Sequence, residues 1–354
     1  MRVSRRMANA LPVMGAALVA LISLGVSAWH RTPAVYEETV FELDTFVQFK
    51  VVHPRAEELV TTAVATLDEV EDRLNRYDSE SAVARVQAAA GDWVEVDGVT
   101  AEAFRLARSW GERTGGAFDV TLGSVADLYD FGGVGRVPSA GELAEAMAHA
   151  GVAAWELEGA AAGGAGTFPT RVRLVDSKAV LDLGGLHKGL AVDLAAAGLR
   201  EAGVKHGLID VGSNMVAIGP RPDGKPWRIG IAHPRAPGQI VATVALQDDA
   251  VSTSGDYQQG FDVGGVRYHH IIDPRTGSPA TGWSGNAMPR LAAVTVLAPT
   301  AAEADILSTA LFVMGLAVGQ AWLEANPEYG AVFVTEAAEV ILSPGLAGRV
   351  EVLP

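Results

Sequence analysis

Between residues 206 and 297 the chain offers one strand-like run after another with no helix between them, and this constrains the fold more than any other feature. The runs lie at 206–211, 215–218, 227–232, 240–246, 266–272 and 291–297, separated by loops rich in Pro and Gly. Helical spacing marks the flanks instead. Residues 56–76 carry Leu59, Ala63, Val64, Leu67, Val70 and Leu74 on one face, with acids opposite. Further helices are predicted at 81–90, at 100–114 ending on Gly115-Gly116, at 140–150, from the glycine turn after 183 through 200, and from 300 onward. Single strands are predicted at 35–52, 93–96, 171–175 and 179–183. Strands clustered apart from helices indicate an α+β protein with mostly antiparallel or mixed sheets flanked by helices, not a regular βαβ succession.

With 354 residues, 49% of them hydrophobic and 19% charged, the chain can bury a sizeable core. A net charge of −15 repels phosphate backbones and so argues against nucleic acid as a partner. A phosphorylated cofactor can still bind where a metal ion or clustered backbone N–H groups supply a local positive field. The absence of cysteine removes disulfides, thiolate metal sites and cysteine nucleophiles together. At the N-terminus Arg2, Arg5 and Arg6 precede an uncharged run over 8–29, so residues 1–30 read as an export signal. Val26-Ser27-Ala28 fits a cleavage site, and the run is also long enough to stay as a membrane anchor bounded by Trp29. Either way the body, 31–354, is expected outside the cytoplasm, in the periplasm or on the outer face of the inner membrane. It would touch the membrane only through this segment. A Gly/Ala-rich stretch at 159–167 is the expected seam between two sub-lobes.

Three segments carry chemistry. In V-L-D-L-G-G-L-H-K-G (180–189), a strand reaches Asp182, turns through two glycines and enters a helix whose first turn contains Lys188. Such a turn lets a pyrophosphate approach backbone N–H groups, although a plain strand-to-helix connection has the same pattern. An acid ending an apolar strand is costly unless it binds N–H groups, hydroxyls or a metal. In P-T-A-A-E-A-D-I-L-S-T-A (299–310), Thr300 and Glu303 form a capping box that starts a helix. Asp305 and Thr309 then stand four apart on one face, taken to be solvent-accessible, where an oxygen-only pair suits Mg²⁺. In Y-H-H-I-I-D-P-R-T-G (268–277), adjacent strand histidines point to opposite sides, so one of them can enter a site as a general base.

In this order, and over nearly all of the chain after the leader, these segments resemble the ApbE-like family, the FAD:protein FMN transferases. L-N-R-Y-D-S-E-S (74–81) and G-A-F-D-V-T-L-G (116–123) resemble two further stretches of that family. The resemblance implies a fold of two sub-lobes with the FAD and metal site between them. It implies that Tyr77, Ala117, Phe118, Asp119, Asp182, Lys188 and Ile272 contact FAD, and that Gly185 (through its carbonyl), Asp305 and Thr309 hold Mg²⁺. His270 takes the place of the family's histidine and would help deprotonate the acceptor. Leu43 stands where a flavin-contacting methionine is usual, because L-D-T-F replaces an M-G-T signature while keeping Thr45. D-V-G-S-N at 210–214 departs from an N-L-G-G-D type sequence, and His187 replaces a small residue. The implied reaction moves FMN from FAD to a Thr or Ser hydroxyl of an exported redox protein and releases AMP. The competing readings are an FAD pyrophosphatase and an exported flavin-binding protein without catalysis.

Overall fold

The computed structural model describes residues 34–159, 169–281, 288–346 and 348–353. The expected export signal, and most of the expected seam, lie outside the described residues. The strands that flank the seam, Trp155–Glu158 and Arg171–Leu174, pair antiparallel with each other. The segment therefore joins two strands of one small sheet, completed by Val94–Glu95, instead of parting two lobes.

The remaining strands build an eight-stranded sheet in the order Tyr36–Glu42, Thr45–Val51, Gly207–Val211, Asn214–Ile218, Ala250–Gly255, Leu291–Ala298, Gly330–Thr335, Val340–Leu342. Every neighbouring pair is antiparallel. Leu291–Ala298 and Gly330–Thr335 are buried along their whole length. Side-chain alternation explains why they are apolar throughout. Val294, Val296 and Phe333 join the core on the helical side, whereas Ala293, Leu297, Val332 and Val334 join a second core against a three-stranded sheet of Trp227–Ala232, Ile240–Leu246 and Val350–Val352.

The helices are α1 (Ala56–Leu74), α2 (Ala82–Ala88), α3 (Gly98–Arg113), α4 (Gly123–Tyr129), α5 (Ala140–Met147), α6 (His187–Glu201) and α7 (Ala301–Ala325). Side-chain caps start two of the short helices: Ser81 caps α2, and Ser139 with Glu142 forms a capping box at α5. Helix α7 is long and apolar enough to cross a bilayer by composition alone. Its burial against Ala250–Gly255, Leu291–Ala298 and α6 accounts for that composition instead. Two contacts set its start. Asp193 of α6 accepts from the N–H groups of Ala301 (2.7 Å) and Ala302 (2.8 Å), and Thr300 accepts from Glu303 N–H. Gly189 lets the helices meet, because a Cβ there would lie 2.5 Å from the Ala301 carbonyl oxygen.

Three strand predictions change. The run over 35–52 is a hairpin, turned by Leu43 and Asp44, both left-handed (φ 53° and 58°). Two such residues fit the two-residue turn whose twist matches paired strands, though the usual Asn or Gly is missing. Residues 179–183 form no strand; Val180 makes only an isolated parallel bridge to Leu122. The run over 266–272 stops at His269, and Val266–His269 pairs with Gly260–Val263.

Candidate active site

At the buried end of the site, Asp305 of α7 is 8% exposed, not on the accessible face expected of it. The reason is that the sheet covers the flank of α7 on which it stands. The strands facing it end in small polar residues. Asp305 accepts from the Gly189 N–H at 3.2 Å and from Ser252 Oγ at 3.5 Å, and the side-chain amide of Asn214 lies near enough to favour its charged form. Burial pushes its carboxyl up to about 6, against the opposing pull of His187, the Gly189 N–H, Lys188 and Asn214. One turn on, Thr309 Oγ1 lies 3.1 Å from Ser254 Oγ, which also bonds Ser308 Oγ at 2.7 Å. Gly185 closes this end: a Cβ there would sit 3.9 Å from Thr309 Oγ1 and 3.1 Å from the Phe118 ring.

The donor set is oxygen throughout, and among the described residues no group of three or more His, Cys, Asp or Glu gathers elsewhere. A lone buried carboxylate with hydroxyls around it fits a hard cation that keeps waters and takes phosphate oxygens from its substrate, as Mg²⁺ does. The buried carbonyl oxygen of Asn214 has no partner, a second sign of a group still to be bound.

The 182–188 turn links this end to the exposed one. Asp182 accepts from the Gly184 N–H at 2.8 Å, and its own N–H donates to the Val120 carbonyl at 2.7 Å, which draws the 117–121 stretch alongside. Asp182 also lies 3.8 Å from Arg76, which pairs with Asp127 as well. The Arg76 guanidinium sits 4.6 Å from the centre of the Tyr77 ring, and Tyr77 is 80% exposed. Gly123 makes room for Arg76, since any Cβ would collide with the guanidinium. Helix α6 opens at His187 without a side-chain cap, and Lys188 stands in its first turn.

His269 and His270 separate as strand geometry requires. His269 is buried with both nitrogens used, Nε2 donating to the Ala280 carbonyl at 2.7 Å and Nδ1 accepting from the Ile271 N–H. His270 Nδ1 faces the Gln259 carbonyl at 3.3 Å. A carbonyl only accepts, so Nδ1 carries the proton and Nε2 is left as a bare acceptor. Burial lowers the His270 pKa first of all; the Gln259 carbonyl raises it, Lys188 lowers it further and Asp182 raises it. Both charged influences come from the 182–188 turn.

The other expected flavin contacts are placed as follows. Phe118 lies on Gly185. Asp119 is engaged locally, accepting from Thr121 N–H (2.9 Å) and Oγ1 (2.7 Å). Ile272 is buried with Val125, Tyr129 and Ala146 in a small cluster under α4 and α5, and Ala117 packs half-buried on the main core. Leu43 is buried in that core at the hairpin turn; Thr45, two residues on, adjoins Gly212. Sequence reasoning missed Arg76, Asn214, Ser252 and Ser254. The alternation of Ser252 and Ser254 on one strand was the signal for the last two.

The ApbE family profile matches residues 43–333. An FAD:protein FMN transferase of Treponema pallidum is 33% identical over 313 residues, covering 85% of this chain and 83% of that protein. Another, from Vibrio cholerae, is 34% identical over 265 residues, covering 73% of this chain and 74% of that one. Among solved structures, the ApbE protein of Thermotoga maritima superposes with a TM-score of 0.78 at 30% identity, over 89% of this chain and 99% of that one. The apo flavinyl transferase ApbE of Pseudomonas stutzeri gives 0.75 at 31% identity, over 89% and 96%. With its antiparallel α+β fold, its profile match over residues 43–333 and these relatives, the chain belongs to the ApbE family.

Proposed function

We propose that this protein is an FAD:protein FMN transferase that uses Mg²⁺ to move FMN from FAD onto a Thr or Ser hydroxyl of an exported redox protein, releasing AMP. The observation that carries the reading is the buried oxygen cluster of Asp305 and Thr309, supported by the orientation of His270, whose Nδ1 faces a carbonyl and leaves Nε2 as an acceptor. The Treponema and Vibrio relatives bear the name of this activity. The leader over 1–30 supports an extracytoplasmic site of action.

A Mg²⁺ held by Asp305, Thr309 and the Gly185 carbonyl would offset the charge that develops on the pyrophosphate and on departing AMP. The protein's own groups do the rest. Tyr77 and Phe118 offer rings to the flavin, while Arg76 and Lys188 put positive charge beside its phosphates. His270 Nε2 takes the proton as the acceptor oxygen bonds to the FMN-side phosphorus and the bridging P–O bond to AMP breaks. Its lowered pKa keeps it unprotonated at neutral pH.

The test is to incubate the protein with FAD and a candidate exported acceptor, and to follow AMP with Mg²⁺ or with EDTA. AMP that needs both Mg²⁺ and the acceptor supports transfer. AMP formed equally fast without acceptor identifies an FAD pyrophosphatase, and bound but intact FAD identifies a flavin-binding protein.

A further inference from the structure

Asn214 opens the strand Asn214–Ile218 directly opposite Ser252 of the neighbouring strand, and both reach Asp305. The residue is 1% exposed. Its amide nitrogen lies 3.5 Å from Ser213 Oγ and near enough to Asp305 to favour that carboxylate's charge. Its carbonyl oxygen, Oδ1, is buried with no hydrogen-bond partner among the described residues. Buried acceptors of this kind are rare, and each calls for a reason.

The surroundings narrow what can satisfy it. The Ser252 hydroxyl is turned to Asp305, the Ser254 hydroxyl to Ser308 and Thr309, and an ionised Asp305 only accepts. Among the described residues no donor is left for it, and a bound group is the source that remains. Amide geometry keeps Oδ1 about 2.3 Å from its own nitrogen, and the side chain lies beside Asp305, so a donor that serves Oδ1 stands close to that carboxylate. Mg²⁺ loses its waters reluctantly, and the waters it keeps are strong donors.

We infer that Asn214 Oδ1 accepts a hydrogen bond from a water carried by the divalent cation at Asp305 and Thr309, which makes Asn214 a positioning residue that sets the affinity of that site. This rests on the cation reading given above. An amide at this place keeps a single carboxylate at the cation, whereas a carboxylate would make two. Affinity should therefore respond to Asn214 in both directions.

The experiment is a titration of Mn²⁺ into the metal-free full chain, followed by loss of the free-ion EPR signal, with Mg²⁺ as competitor. Asn214→Leu, which removes the acceptor, should weaken binding about tenfold or more. Asn214→Asp at pH 8 should tighten it by about the same factor, a gain that a misfolded protein cannot give. Asp305→Asn should lose the binding. If Asp305→Asn loses it while both Asn214 variants stay within about twofold of wild type, the inference falls and the cation site stands. Weaker binding in both Asn214 variants also overturns it, because the side chain would then only be shaping Asp305. If Asp305→Asn binds like wild type, the cation reading fails and takes the inference with it.

Discussion

The two ends of the site differ in what holds their groups in place. Around Asp305, two strands, α6 and α7 meet within the main core, and the carboxylate, three serines and a threonine are fixed by that packing. Around Tyr77 and His270 the groups stand on a helix end and on the rim of a two-stranded hairpin, and Tyr77 is 80% exposed against 8% for Asp305. The buried end suits a group whose geometry must not vary, a cation on a pyrophosphate. The open end suits what must come and go, a flavin and a protein carrying a hydroxyl. Substitutions at the two ends should therefore separate chemistry from binding and from stability.

The largest effect belongs to the buried end. Asp305→Ala should reduce AMP release from FAD by more than about 100-fold, as expected for loss of the only carboxylate at a metal site. Its melting temperature in EDTA should change little, because the hydrogen bonds Asp305 accepts there are long, 3.2 and 3.5 Å, and burial disfavours its charge. A melting point lowered by many degrees would show Asp305 to be structural.

His270→Ala comes next, with transfer to protein slowed about 100-fold or more and FAD affinity nearly unchanged. Equal losses of both would make His270 a binding residue. The pH profile gives the sign independently. A base whose pKa lies below its ordinary 6.5 stays deprotonated to lower pH. The acid limb of wild-type transfer should then fall below pH 6.5, and a limb above that value would contradict the placement of His270.

Tyr77→Ala should weaken FAD binding about tenfold, the scale of one aromatic contact, and leave the melting curve alone because the ring is exposed. Fluorescence titration with FAD checks it; a destabilised fold would blur the contrast between the two ends.

The last effect concerns stability alone and leaves activity untouched. Asp193, which caps α7, has its pKa raised to about 6, chiefly by burial, from 3.8. The native state thus holds this proton more tightly than the unfolded one, so stability is full below pH 4 and declines as pH rises through about 6. Asp193→Asn should flatten that decline by about 3 kcal/mol in urea unfolding series, and an unchanged slope would show that the two N–H bonds outweigh burial.

Much of this was legible in residue order. The apolar spacing of α1, the Thr300 cap on the Glu303 N–H, and the i, i+4 placement of Asp305 and Thr309 are local patterns, and the structure keeps them, although the Glu303 carboxylate accepts from Tyr329 instead of closing a capping box. The choice between His269 and His270 needed the family resemblance, and the hydrogen bonds now give it a cause. The hairpin turn was hidden because Leu43-Asp44 has no glycine and puts a leucine at the first left-handed position. The burial of Asp305 was hidden because α7 is apolar nearly all round, so its sequence does not say which flank the sheet covers. Asn214, Ser252 and Ser254 come together only through the register of strands far apart in sequence, which no short window contains.

The most direct measurement is the mass of a candidate acceptor after incubation with this protein, FAD and Mg²⁺, with fragmentation to locate any adduct. The expected result is one FMN joined through a phosphoester to a Thr or Ser hydroxyl, with AMP in equal amount and no adduct in EDTA. AMP and free FMN beside unmodified protein, for every acceptor offered, would contradict the account.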